Sequence, residues 1–257
     1  MKKIMFIFAF VLLLTSPAKA QFVRYGFKLG NGISMVTDDL LTSSPVFGFN
    51  IGGYVDYSFT NWKNPWSENV YLQVGLNITR RGTNFQRVWV LEPRSIRQGY
   101  YHNWYAQIPL IAGFRYELPS LPAENFLNFF VGPTFNVGMF GKLWDREVMP
   151  GMPHRSHNYD TFVTGDKDDA RSFKNLRRFD VGIVFGVGYQ WHNFTVDLYI
   201  DHGFIALRNS ADVLAPFDVK PDENGQYDFS DVNDRNAYTG TNHAYMISIG
   251  YQLPIHR

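Results

Sequence analysis

The sequence predicts an all-β fold, a single eight-stranded antiparallel up-and-down transmembrane β-barrel. Three observations predict it: an export signal at the start of the chain, a hydrophobic period of two along the rest, and connections that alternate between short and long. In 180–189, for example, large apolar residues occupy the odd positions and mostly glycine occupies the even ones. This period is typical of strands, because successive side chains point to opposite faces.

The first twenty residues have the pattern of a secretory signal peptide. Lys2 and Lys3 precede an unbroken apolar run over 4–14, and Ala18-Lys19-Ala20 is a small-residue cleavage site. The run is too short for a membrane-spanning helix, which needs about 20 residues. We therefore predict a cleaved signal peptide over 1–20 and an exported β-barrel domain over 21–257.

Eight segments carry the alternation, namely 22–36, 46–59, 69–83, 101–117, 126–140, 178–190, 194–208 and 242–254. The connections between them alternate in length. Those at 60–68, 118–125 and 191–193 are short and contain Asn or Pro, whereas those at 37–45, 84–100, 141–177 and 209–241 are mostly longer and more charged. This pattern is typical of a Gram-negative outer-membrane barrel with short periplasmic turns, so we expect the long loops to be extracellular.

A soluble lipocalin-like barrel would also be exported and eight-stranded, and the direction of the alternation separates the two. A membrane barrel shows apolar residues to lipid and keeps polar residues inside, whereas a soluble barrel does the reverse. One face of the predicted strands is apolar and free of charge in its central turns. The other face carries most glycines and seven charged residues: Lys28, Asp56, Arg115, Glu117, Asp180, Asp197 and Asp201. This arrangement favours the membrane barrel.

These seven residues are predicted to form a lumen charge network. Charges in a low-dielectric lumen must be paired or hydrated. The lumen of an eight-stranded barrel has room only for packed side chains, which argues against a pore for solutes. We expect a structural network, with a proton or ion path as the alternative.

An enzymatic site would have to be built around Asp201-His202, with His243 and His102 near the same end of the barrel. Adjacent strand residues point to opposite faces, so Asp201 and His202 cannot readily form one catalytic pair. The sequence also contains no Gly-x-Ser-x-Gly motif. We expect no enzymatic activity, no catalytic residues and no small-molecule substrate.

Composition argues against metal, cofactor and nucleic-acid sites. The chain has no cysteine, which excludes disulfides, thiolate zinc sites and cysteine nucleophiles. His154-x-x-His157 has no neighbouring carboxylate at helical ligand spacing. A formal net charge of +1 gives no basic surface of the kind that binds nucleic acid. We expect no metal, no cofactor and no nucleic-acid partner.

Two long loops differ in charge. The stretch 84–100 holds three arginines and one glutamate, whereas 209–241 holds seven acidic and two basic residues. The acidic stretch lacks the residue order of a calcium loop. We predict that it docks partner proteins through Asp218, Asp222, Glu223, Asp228, Asp231 and Asp234.

Short motifs in a fixed order carry a family resemblance. They are 25–34 in the first strand, 71–76 and 81–82 in the third, 105–110 in the fourth, 131–133 in the fifth and 247–251 in the last. In their order and spacing, the chain resembles the PorT-like outer-membrane β-barrel family of the Bacteroidetes over nearly its whole mature length. The family often has Glu at two strand positions where this chain has Gly75 and Gln107, so we expect its lumen network to be built differently.

The resemblance implies a non-enzymatic component that supports type IX secretion, the route that exports cargo proteins across the outer membrane. Its implied partners are outer-membrane lipid and other proteins of the secretion machinery. The alternative is a structural or adhesive outer-membrane barrel that serves envelope integrity or surface contact and has no role in secretion.

Overall fold

The computed structural model describes residues 21–37, 42–59, 69–89, 95–118, 125–148, 153, 155–162, 176–205 and 240–253. These residues form ten strands: β1 (Gln21–Thr37), β2 (Thr42–Ser44), β3 (Val46–Phe59), β4 (Val70–Trp89), β5 (Ser95–Glu117), β6 (Asn125–Val148), β7 (Arg155–Asp160), β8 (Phe179–Trp191), β9 (Phe194–Gly203) and β10 (Thr241–Gln252). Within these ranges, no helix has the length and apolar character needed to cross a membrane. The signal peptide predicted over 1–20 lies outside the described residues, as do the six acidic residues predicted to dock partners.

Eight of the strands close into a barrel. Their spatial order is β4-β3-β1-β10-β9-β8-β6-β5, and β5 pairs with β4 to complete the circle. Every pairing is antiparallel, including the one between β1 and β10 that joins the first strand to the last. The predicted eight-stranded antiparallel up-and-down barrel is confirmed.

The barrel turns its apolar face outward and its polar face inward. In β9, Leu198 is 55% exposed, whereas its neighbour Asp197 is 2% exposed. In β10, Tyr245, Ile247 and Ile249 are exposed, and the residues between them are buried. The period of two in the sequence therefore corresponds to an apolar exterior around a polar interior.

Three strands are longer than predicted. β4 and β5 pair as far as Trp89 and Ser95, so most of the loop expected at 84–100 is a hairpin. β6 continues to Val148 within the expected loop at 141–177, and β7 pairs with it. The predicted strand ends were wrong because the backbone hydrogen bonds between neighbouring strands continue past the apolar face. Beyond that face, side chains no longer need to alternate between apolar and polar. β9 ends at Gly203 instead of continuing to 208.

Apolar side chains close the barrel at the end from which these extended strands project, which we call the loop end. The buried cluster, here called the apolar cap, comprises Val36, Phe85, Tyr101, Tyr105, Leu143, Phe162 and Leu176. Phe162 and Leu176 come from the segment after β7, where the Leu176 amide donates a hydrogen bond to the Thr161 carbonyl. Arg178 lies over the Phe162 ring, with its guanidinium carbon 5.4 Å from the ring centroid. These contacts hold Phe162 and Leu176 at the loop end of the barrel.

Glycines on the inner face leave space for large rings. A methyl group at Gly113 would overlap the ring of Tyr71, which crosses the lumen beside it. A methyl group at Gly26 would likewise overlap the ring of Tyr54, and one at Gly138 would overlap the ring of Phe162. These close approaches explain in part why glycine alternates with large apolar residues in the sequence.

The Gly113→Ala substitution is expected to lower the free energy of unfolding by about 1–3 kcal/mol, because the added methyl overpacks the ring of Tyr71. The matched control is Gly53→Ala on the outer face, where an added Cβ has its nearest neighbour at 3.6 Å. Urea titration of both variants in detergent micelles checks this. Equal stability of the two variants would contradict the packing.

Candidate functional site in the barrel interior

The first of three interior ion pairs joins β1 to β9. Lys28 Nζ lies 2.7 Å from Asp197 Oδ2. The same ammonium group lies over two aromatic rings, 4.9 Å from the centroid of Tyr54 and 5.6 Å from that of Phe130. Both rings point inward, so they shield the pair from water, which strengthens its electrostatic attraction.

The second pair joins β3 to β5. Arg115 Nη2 donates to Asp56 Oδ2, and Arg115 Nη1 donates to Ser58 Oγ at 3.2 Å. Gln252 Nε2 donates to the same Asp56 oxygen at 3.1 Å. The guanidinium carbon lies 4.0 Å from the centroid of the Tyr71 ring. Each of the two charges therefore has the partner that a buried charge requires.

The third pair joins β4 to β9 and is the most extensively bonded. Arg81 Nη2 donates to Asp201 Oδ2, and Gln107 Nε2 donates to the same oxygen at 2.6 Å. Thr134 Oγ1 donates to Asp201 Oδ1 at 3.4 Å, and Arg81 Nη2 also lies 3.3 Å from Asn136 Oδ1. Residues of three other strands, β4, β5 and β6, therefore surround the one carboxylate that β9 supplies.

The seven residues predicted to form the lumen network do not all have the same surroundings in the structure. Lys28, Asp56, Arg115, Asp197 and Asp201 take part in the three pairs. Asp180 is buried, and its Oδ1 accepts the backbone N–H of Ile205 at 3.3 Å. Glu117 is exposed at the last residue of β5, so its inclusion in the lumen network was wrong. Strand alternation assigns Glu117 to the inner face of β5. However, it is the last residue of the strand, where the barrel no longer encloses the side chain.

The sequence prediction missed Arg81, which is 2% exposed and is the partner of Asp201. The signal that could have found it is the alternation itself. Gln73 and Thr79 are buried in β4, and counting on in steps of two brings Arg81 to the same inner face. Arg81 was absent from the predicted lumen network because it was assigned only to the short motif 81–82 and not to the inner face of the strand.

The interior leaves little free space. A cavity of about 40 Å³ lies among the polar groups around Lys28, Gln107 and Asp201. Because one water molecule needs about 10–15 Å³, the cavity has room for roughly three or four waters. Among the described residues, this arrangement can hold paired charges and a few waters.

The candidate enzymatic residues do not converge. Asp201 is buried in the interior, whereas His202 lies on the outer face of β9, as strand alternation requires. His102 lies on the outer face of β5, where its ring centroid is 5.0 Å from that of Tyr100. The structure brings His202 and His243 together on the outer surface, with ring centroids 4.3 Å apart. In the described part of the chain, no three His, Cys, Asp or Glu side chains form a metal-binding group.

A closed antiparallel barrel with an apolar exterior and an ion-paired interior defines a transmembrane β-barrel. The chain belongs to the outer membrane protein β-barrel domain family, whose model matches residues 16–209. The protein is therefore an outer-membrane protein. Its outward apolar side chains contact lipid.

Three solved structures are similar to this chain at low sequence identity. Neisserial surface protein A is 9% identical, with 89% of this chain and 97% of that chain covered and a TM-score of 0.38. Ail, the attachment invasion locus protein of Yersinia pestis, solved in complex with the heparin analogue sucrose octasulfate, is 14% identical, with 90% and 99% covered and a TM-score of 0.36. The translocator domain of the autotransporter NalP from Neisseria meningitidis is 9% identical, with 98% and 96% covered and a TM-score of 0.27. Comparison with curated proteins finds no match.

The Asp201→Asn substitution is expected to lower the free energy of unfolding by about 3–5 kcal/mol, because it leaves Arg81 charged and unpaired inside the barrel. Adding Arg81→Met to that variant is expected to restore part of the loss. Glu117→Gln is the control, with a change within about 0.5 kcal/mol, since Glu117 is exposed. Urea titration in micelles measures the parent, these three variants and the Arg81→Met single variant, and a double variant whose loss equals the sum of the two single losses would contradict the pairing.

Proposed function

We propose that this protein is a non-conducting, non-enzymatic outer-membrane barrel that supports type IX protein secretion by docking other proteins of the machinery at its loop end. The observation that carries the first part is the filled interior. Three ion pairs bridge the lumen, and the apolar cap lies above them at the loop end. A barrel filled in this way acts through its outer surfaces.

The extended strands supply such a surface. The pairing of β3 with β4 ends at Phe49 and Arg80, whereas β4 and β5 remain paired as far as Trp89 and Ser95. β2 pairs with β4 and β7 pairs with β6 in this projecting part. Ile96 and Tyr100 are exposed there, but most of its exposed residues are polar: Asn84, Gln86, Gln98, Ser156, Asn158 and Asp160. A polar sheet that projects beyond the barrel suits contact with a protein partner.

The assignment to type IX secretion rests on the resemblance to PorT-like barrels in the order and spacing of the strand motifs. The acidic segment 209–241 supports docking by its charge. Six acidic residues are its proposed contacts: Asp218, Asp222, Glu223, Asp228, Asp231 and Asp234. Acidic loops at an interface direct the approach of basic partners, and salt weakens this effect.

Deleting the gene is expected to leave many otherwise secreted proteins inside the cell, as measured by mass spectrometry of the culture medium. Expression of the full chain restores secretion. A chain that lacks 212–234 is expected to fold and reach the outer membrane without restoring secretion, because it has lost the docking segment. Membrane insertion of both chains is checked by heat-modifiable gel mobility.

An unchanged set of secreted proteins in the deletion strain would contradict the secretion role. If envelope integrity or surface adhesion then changes, the structural or adhesive alternative is supported. Full restoration by the chain without 212–234 would retain the secretion role and contradict docking through the acidic segment.

A further inference from the structure

A pair of histidines on the outer face of the barrel belongs to none of the interior interactions. His202 in β9 and His243 in β10 are direct partners in the register of these two strands. Both side chains are half-buried, and their Nδ1 atoms lie 2.7 Å apart. Because two protonated nitrogens would repel each other at this distance, at least one of the two Nδ1 atoms presents a lone pair to the other.

We propose that His202 and His243 bind a divalent transition-metal ion, Cu²⁺ in preference to Zn²⁺, between their Nδ1 atoms. Neutral imidazole nitrogen is a ligand for both ions, at about 2.0–2.1 Å for Zn²⁺. Two such nitrogens on one ion are about 3 Å apart. To hold an ion at this coordination distance from both nitrogens, the two rings need to move apart by a few tenths of an ångström. They also need to turn, because the ion lies beside the line that joins the nitrogens, whereas a shared proton lies on it.

The neighbours of the two rings fix the geometry that this site requires. His243 Nε2 lies 3.2 Å from Thr241 Oγ1. When Nε2–H donates to this hydroxyl oxygen, the neutral ring keeps its lone pair on Nδ1, the atom that faces His202. The His202 ring packs edge-to-face against Phe204, with centroids 5.2 Å apart.

Charge near the site favours a cation. The acidic stretch 209–241 connects β9 to β10 in the sequence, so its seven carboxylates are tethered to the two strands that carry the histidines. Negative charge raises the local concentration of cations. A bound ion would link the two strands that this stretch connects in the sequence.

The preference for Cu²⁺ follows from the ligand type. Divalent ions bind nitrogen ligands in an order that rises to Cu²⁺ and falls again at Zn²⁺. A site with two imidazoles leaves the remaining coordination positions of the ion to water or to oxygen ligands. Tighter binding of Cu²⁺ than of Zn²⁺ is therefore expected.

The test is a Cu²⁺ titration of the full mature barrel, folded in detergent micelles and purified without a histidine tag. His154→Gln and His157→Gln are introduced into every protein tested, so that the other pair of nearby histidines in the chain cannot contribute. We expect one Cu²⁺ per chain by calorimetry and a spin-resonance spectrum with two nitrogen ligands. His202→Gln and His243→Gln each reduce the affinity at least tenfold. His192→Gln is the control, because His192 is exposed in the turn between β8 and β9 at the other end of the barrel.

Equal Cu²⁺ affinity in the His202→Gln, His243→Gln and control proteins would overturn the proposal. A spectrum with a single nitrogen ligand in the parent protein would also overturn it, and this measurement does not depend on the folding of any His202 or His243 variant. Heat-modifiable gel mobility shows whether each variant has folded. This test measures metal binding alone, so its result does not depend on whether the protein has a role in secretion.

Discussion

The pairing of β1 with β10 is the constraint on which the rest of the structure depends. Inside a membrane, each backbone N–H and C=O group needs a partner within the protein, and only closure of the sheet removes its two edges. Closure also separates an outer face, which lipid covers, from an inner face, which it cannot reach. The register of β1 against β10 and of β10 against β9 then brings Lys28 and Asp197 to the same part of the lumen.

The interior uses charge to connect parts of the chain that are distant in sequence. Asp201 is bonded to Arg81, 120 residues away, and to Gln107, 94 residues away. A glutamate at position 107 would place a second carboxylate against that of Asp201, whereas the Gln107 amide donates a hydrogen bond to it. A Cβ at Gly75 would lie 3.0 Å from the Pro109 ring, which is tighter than an ordinary van der Waals contact, so any larger side chain there would have to displace that ring.

The alternation in the sequence was sufficient to predict the number of barrel strands and the face on which a residue lies. It separated Asp201 from His202 because that assignment depends only on whether a position is odd or even. It could not predict which strand positions lie side by side, since register depends on closure of the whole sheet. For this reason the Arg81–Asp201 pair and the contact between His202 and His243 were not predicted. Glu117 was assigned wrongly because the period of two does not show where the barrel ends.

The central claim is that the apolar face of the strands contacts lipid and the charged face lies inside. Because the chain has no cysteine, single cysteines can be placed in turn along β9 at Thr195, Val196, Asp197, Leu198, Tyr199 and Ile200, and labelled with a fluorophore in lipid vesicles. The account predicts that a quencher attached to the lipid chains quenches the label strongly at 196, 198 and 200 and weakly at 195, 197 and 199. Quenching that is uniform along the strand, or that is stronger at the odd positions, would contradict it.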